Sequence, residues 1–142
     1  MFSRIKKIIN EYKEWKYLAY HDSLTGLLNR NWLNAHKMSI KHPYVYFIDI
    51  NNLTQINKLG HTVGDEHIIN IIKHITKYKG DYLVRYAGDE FILFSNYENL
   101  IRTNKLYSVG MAKNNGELSA SIMEADIKMI ESKKKFKREI KI

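Results

Sequence analysis

A chain of 142 residues, 44% of them hydrophobic and 27% charged, is about one soluble globular domain, large enough to bury a core. It has no cysteine, which excludes a disulfide framework and thiolate metal sites; no apolar run approaches the roughly 20 residues of a membrane span, and no signal-peptide pattern opens the chain. A cytoplasmic location fits, and the formal charge of +8 points to polyanionic partners: nucleic acid, anionic membrane or phosphorylated small ligands.

Phe2, Ile5, Ile8, Ile9, Tyr12, Trp15 and Leu18 recur at steps of three and four, with Lys6, Lys7, Lys13 and Lys16 between them, which predicts an amphipathic helix over 2–20. Packing on the body or pairing with another copy is favoured over lying on a membrane, because neither needs a further assumption. His21 to Arg30 breaks the period. Asp22 and Thr25 are capping types and Gly26 suits a turn, so a connector precedes a second helix at about 29–40, ended by Pro43. Tyr44–Ile50 is the strongest strand pattern, nearly continuously apolar as a strand covered on both faces would be. Asp49 interrupts it near its C-terminal end, where ligands of open sheets collect and where an unpaired buried carboxylate is costly.

Residues 51–61 read as a short helix and a loop. Thr62 to about Lys77 returns to helical period with Val63, Ile68, Ile71, Ile72 and Ile75 on one face. After a turn at Lys79-Gly80-Asp81, the runs Tyr82–Val84 and Phe91–Phe94 form a hairpin closed by Ala87-Gly88, with Gly88 expected to supply a positive φ. Asp89 and Glu90 fall at its tip. Residues 96–105 allow at most two helical turns, 106–112 a strand, and Asn114-Asn115-Gly116 a turn. A last helix from Ser119 buries Ile122, Ala125, Met129 and Ile130 and runs into the basic stretch Lys133–Arg138.

This order, helices, strand, helix, hairpin, strand, helix, predicts an α+β sandwich with an antiparallel sheet backed by helices. Such a sheet would bring Asp49 beside Asp89. Two close carboxylates repel, and a divalent cation between them is the usual remedy; Mg²⁺ suits, being held typically by one or two carboxylates and substrate phosphates.

Six motifs in order resemble the GGDEF domain, the diguanylate cyclase family, over nearly the whole chain. They are Asp22 to Arg30, Phe47-Ile48-Asp49-Ile50-Asn51, Gly60 to Asp65, Ala87-Gly88-Asp89-Glu90-Phe91, Ser108-Val109-Gly110-Met111-Ala112, and Ala125-Asp126 through Lys133 to Lys137. The resemblance implies a palm-like, adenylyl-cyclase-like fold, with residues 1–20 as an N-terminal amphipathic helix and 21–142 as a compact GGDEF domain. It implies condensation of two GTP into cyclic di-GMP and two pyrophosphates across a dimer. Asp49, Asp89 and the Ile50 carbonyl match the family's ligands for Mg²⁺ (or Mn²⁺). Glu90 matches the acid that assists 3′-hydroxyl attack or a second metal, and Gly88 lies in the substrate-binding turn. Asn57 and Asp65 match the pair that bonds guanine; Lys133 and Lys137 match the cations that hold the β- and γ-phosphates. No nucleic-acid partner is expected; a regulatory protein acting through the N-terminal helix is.

The departures are specific. Ala87 replaces the first glycine of the signature, Asn51 the second acid of the strand motif, Thr54 the usual lysine, and Lys137 an arginine, which removes a bidentate fork. The stretch between Asn57 and Gly60 is one residue short. Tyr78 stands where the product-inhibition motif has arginine, so tight feedback through Asp81 is not expected. The helix usual after the hairpin is almost missing, and the N-terminal helix or a second subunit is expected to cover the sheet there. These departures leave two alternatives open: a GTP-binding signalling module with little or no turnover, and synthesis of a different cyclic dinucleotide.

Overall fold

The computed structural model describes residues 1–75 and 77–140. In chain order the elements are α1 (Phe2–Tyr20), β1 (Leu28–Asn29), α2 (Arg30–His36), a 3₁₀ turn (Lys37–Ser39), β2 (Tyr44–Ile50), α3 (Leu53–Asn57), α4 (His61–His74), β3 (Tyr82–Arg85), β4 (Glu90–Ser95), β5 (Tyr107–Lys113) and α5 (Leu118–Ile140). They build the expected α+β sandwich around a five-stranded sheet of order β1-β3-β4-β2-β5. The sheet is mixed, because β1 runs parallel to β3 while all other pairs are antiparallel.

Alternation along the central strands splits the core in two. Tyr46, Ile48, Phe91 and Leu93 point to the face covered by α3 and α4, with Leu53, Ile68 and Ile71 packed on them. Val45, Phe47, Ile92 and Phe94 point to the opposite face, covered by Leu33 of α2 and by Leu118, Ala125 and Met129 of α5. Both faces are dry, which is why β2 reads as a continuous apolar run. Gly110 on β5 lets α5 lie directly on the sheet: a Cβ there would sit 2.1 Å from both the Ala125 carbonyl oxygen and the Met129 amide nitrogen. That close seat fixes the line of α5, whose later turns reach the end of β2.

Several expectations are corrected. The helix expected over 29–40 is shorter, α2 plus a 3₁₀ turn, and a two-residue strand precedes it; Asn29 ends that strand and caps the helix, accepting from the Trp32 amide at 2.9 Å. The helix α4 stops at His74 rather than near Lys77, Ile75 being extended. Val63 and Ile130, expected on buried faces, are exposed. Gly88 is not among the glycines with positive φ. The four residues 86–89 form a wider turn, closed by the Tyr86 amide donating to the Glu90 carbonyl at 2.8 Å, so no left-handed residue is required.

The N-terminal helix does not cover the sheet: none of its residues is buried, and Trp15 and Leu18 are 78% and 72% exposed. The segment 96–106, which holds no helix, does that work itself. Leu100 and Ile101 pack on the α3/α4-side core, and the buried Tyr46 hydroxyl donates to the Tyr97 carbonyl and accepts from the Leu100 amide. Thr103 accepts from the Val109 amide at 2.9 Å, pinning the segment to β5. Side-chain hydrogen bonds here replace the missing helical ladder.

Candidate active site

β2 and β4 pair in a register that sets Asp49 opposite Glu90, so both side chains leave the same face at the same end of the sheet. One residue earlier, the hairpin tip is tied to the same strand end, because the Ile50 amide donates to the Asp89 carbonyl at 2.9 Å. Asp49, Asp89 and Glu90 thus converge where β2 ends. Lys133, one turn beyond Met129 on α5, donates to Asp49 Oδ2 at 2.9 Å. Lys137 lies one turn further along and is exposed.

The acids outnumber their counter-charges. Burial pushes the Asp49 carboxyl above its usual range, the Lys133 ammonium pulls it back in part, and the Asp89 carboxylate pushes it up again. Burial also raises Glu90, helped by Asp89, Asp126 and Asp49 and opposed by Arg30. Among the described residues no three His, Cys, Asp or Glu side chains close around one point. The donor set is an open group of carboxylate oxygens from Asp49, Asp89 and Glu90. That fits Mg²⁺ or Mn²⁺, which keep positions for water and phosphate, and does not fit a closed cage.

Beside the acids, on the α3/α4 side, is a cavity of about 270 Å³ lined by Leu53, Thr54, Asn57, His61, Asp65, Ile68, Arg85, Gly88 and Asp89. The structure therefore brings Asn57, Asp65, Gly88 and Asp89 to one cavity, while Asp49 and Glu90 point to the opposite, α2/α5 face at the same end of the sheet, where Lys133 meets Asp49 and Glu90 lines a second cavity with Phe47, Tyr86 and Asp126. Asp65 is the fifth residue of α4, whose cap is Gly60.

Arg85 lies in none of the sequence motifs, and Asp22 stands out in the sequence only as a capping type at the start of one. Arg85 donates to the Gly88 carbonyl through Nη2 at 2.8 Å and to Asp22 through Nη1 at 3.0 and 3.2 Å, clamping the hairpin tip to the connector after α1. Burial raises the Asp22 carboxyl, but bonds from the Thr25 hydroxyl and amide and from Arg85 outweigh it and leave it below its usual range. A pair 63 residues apart leaves no local signal. On the other side of the tip, the Arg30 guanidinium lies 4.1 Å over the Tyr86 ring and donates to its hydroxyl at 2.9 Å.

A family profile described as "Diguanylate cyclase, GGDEF domain" matches residues 19–129. Curated relatives include an uncharacterized protein of Mycobacterium tuberculosis, 35% identical over 106 residues (66% of this chain, 16% of the relative), and the diguanylate cyclase DgcM of Escherichia coli, 32% identical over 92 residues (57% of this chain, 22% of the relative). The chain thus spans only 16% to 22% of the length of these relatives. Among solved structures, the coiled coil and GGDEF domain of DgcB from Caulobacter crescentus, in complex with c-di-GMP, superposes with a TM-score of 0.75 at 19% identity, covering 94% of this chain and 90% of that one. The diguanylate cyclase SiaD of Pseudomonas aeruginosa, in complex with its activator SiaC, gives 0.66 at 18% identity, covering 94% and 68%. These likenesses agree with the fold, and with the profile they lead to one conclusion: the chain belongs to the GGDEF domain family.

Proposed function

We propose that the chain is a diguanylate cyclase, condensing two GTP into cyclic di-GMP and two pyrophosphates. The observation that carries this reading is the approach of Asp49, near the end of β2, to Asp89, in the turn before β4, with Asp89 also lining the cavity that holds Asn57 and Asp65. Asp65 accepts from the N1–H and amino group of guanine; adenine has no such donors there, and polar readout of this kind discriminates strongly. Lys133 and Lys137 hold the β- and γ-phosphates. Asp49, Asp89 and the Ile50 carbonyl hold a divalent cation, which when bound neutralises the triphosphate and the leaving pyrophosphate. Lys133 then exchanges its bond to Asp49 for one to phosphate. Glu90, its carboxyl raised above the usual range, takes the proton as a 3′-oxygen attacks the α-phosphorus and the bond to the β-phosphate oxygen breaks.

Two such bonds join two nucleotides, so two copies of the site must meet. The α1 surface supports pairing: Ile5, Ile8, Tyr12, Trp15 and Ala19 follow a heptad seam, and Ile8, Tyr12, Trp15 and Ala19 line one groove along the helix. Glu11 and Lys16 then occupy positions that pair across a parallel dimer, while Lys6, Lys7, Asn10 and Lys13 face away.

The test is to incubate the protein with Mg²⁺ and each nucleoside triphosphate and identify products by mass. Cyclic di-GMP from GTP alone is expected. GTP binding without turnover would replace the reading with a signalling module, and another cyclic dinucleotide would change its product.

A further inference from the structure

We propose that Gly64 is a positioning residue: its missing side chain is what allows Asn57 to take its place in the nucleotide cavity. The inference rests on the cavity being the guanine site, as argued above.

Gly64 is the fourth residue of the 14-residue helix α4 and is buried. Glycine inside a helix costs about 1 kcal/mol relative to alanine. Nothing in the backbone asks for it here, since Gly64 is not among the glycines with positive φ. The demand comes from α3. A Cβ at Gly64 would lie 1.8 Å from Asn57 Oδ1, 3.0 Å from its Cγ and 3.7 Å from its Cα. The Asn57 carboxamide thus occupies the space that a side chain at Gly64 would take, where α3 meets α4.

Two consequences follow for the cavity, which Asn57 lines together with Asp65, the residue after Gly64. With one end of the carboxamide against Gly64, the other is left for a ligand. The site then offers an amide from α3 and a carboxylate acceptor from α4, which complements an edge of guanine carrying both acceptors and donors. A methyl at position 64 would displace that carboxamide. Asn57 is exposed, so its side chain can swing outward with little strain on the two helices. The short stretch from Asn57 to Gly60, closed by the Gly60 amide on the Asn57 carbonyl at 3.0 Å, leaves the backbone little freedom to restore the position.

The experiment is a double-mutant cycle on the full chain: wild type, Gly64→Ala, Asn57→Ala and both together. Each is titrated with the α,β-methylene analogue of GTP and Mg²⁺, and its thermal unfolding is recorded. Gly64→Ala is expected to weaken binding by about tenfold, comparable to losing one polar contact. Adding it to Asn57→Ala should weaken binding no further, because it acts through Asn57. Its unfolding midpoint should equal or exceed that of wild type, as the helix gains alanine. Unchanged affinity, additive losses in the double variant, or a lowered midpoint would each overturn the proposal. If the wild type itself does not bind the analogue, the guanine-site reading fails first, and that outcome is distinct from the other three.

Discussion

Glu90 and Asp49 face each other across paired strands; burial raises the Glu90 carboxyl, Asp89, Asp126 and Asp49 raise it further, and Arg30 opposes them. A carboxyl raised in the folded state binds protons that the unfolded chain releases. Its contribution is therefore stabilising at low pH and is lost as pH rises through the raised folded value. Glu90→Gln should raise the unfolding midpoint at pH 7 in the absence of divalent metal, and the gain should shrink as pH falls toward 4; a lower midpoint at pH 7 would contradict the repulsion. Asp22 has the opposite sign. Its depressed carboxyl stabilises the fold above the ordinary carboxylate value and loses that contribution as pH falls through the folded value. Asp22→Ala removes the partner of Arg85 and should cost about 1.5–3 kcal/mol in denaturant unfolding at pH 7, the range for hydrogen bonds to charged groups. Asp81 is tied into the fold through Oδ2, which accepts from the Tyr78 amide at 2.9 Å and the Ser95 hydroxyl at 3.0 Å, and the residue is 7% exposed. Calorimetric titration with cyclic di-GMP should show no stacked product dimer bound at this position.

The elements that align these residues were unevenly visible in the sequence. The strand β2 was legible to the residue, because a doubly covered strand must be apolar throughout and Asp49 is the one break in it. The strand β1 was not, since two residues carry no period, and their place is fixed by pairing with β3 across 56 positions. The Arg85–Asp22 clamp was hidden for the same reason, whereas Asp65, Gly88 and Asp89 in the cavity lie within recognisable motifs. The segment 96–106 gave no pattern, as its fold depends on single side chains such as Tyr46 and Thr103 reaching distant backbone. Gly110 was readable only as part of a motif; its physical task is to admit α5. Gly110→Ala places a methyl against helix backbone, which has nowhere to yield, and should destabilise the fold by about 1–3 kcal/mol or more. Because α5 carries Lys133, the same change should also weaken nucleotide binding.

At the scale of the molecule, α1 is the element left without a partner. Its apolar residues are exposed, and its contacts with the body lie at its C-terminal end, where Asn29 donates to the Ala19 carbonyl and Tyr20 meets His36 edge-on. Among the described residues no helix is long and apolar enough to cross a membrane. Deleting residues 1–18 should therefore leave the unfolding transition nearly unchanged while shifting the chain toward monomer in sedimentation. A large loss of stability would mean that α1 packs on its own domain after all.

The account depends most on Asp49 and Asp89 serving one divalent ion. Mn²⁺ titrations with the methylene analogue of GTP, followed by electron paramagnetic resonance, test this on the wild type, Asp49→Asn, Asp89→Asn and the double variant. Each single change should weaken the tight Mn²⁺ site by at least tenfold, and the double change should weaken it much less than the product of the two. Intact binding in either single variant, or losses that simply multiply, would mean that the two acids do not share an ion.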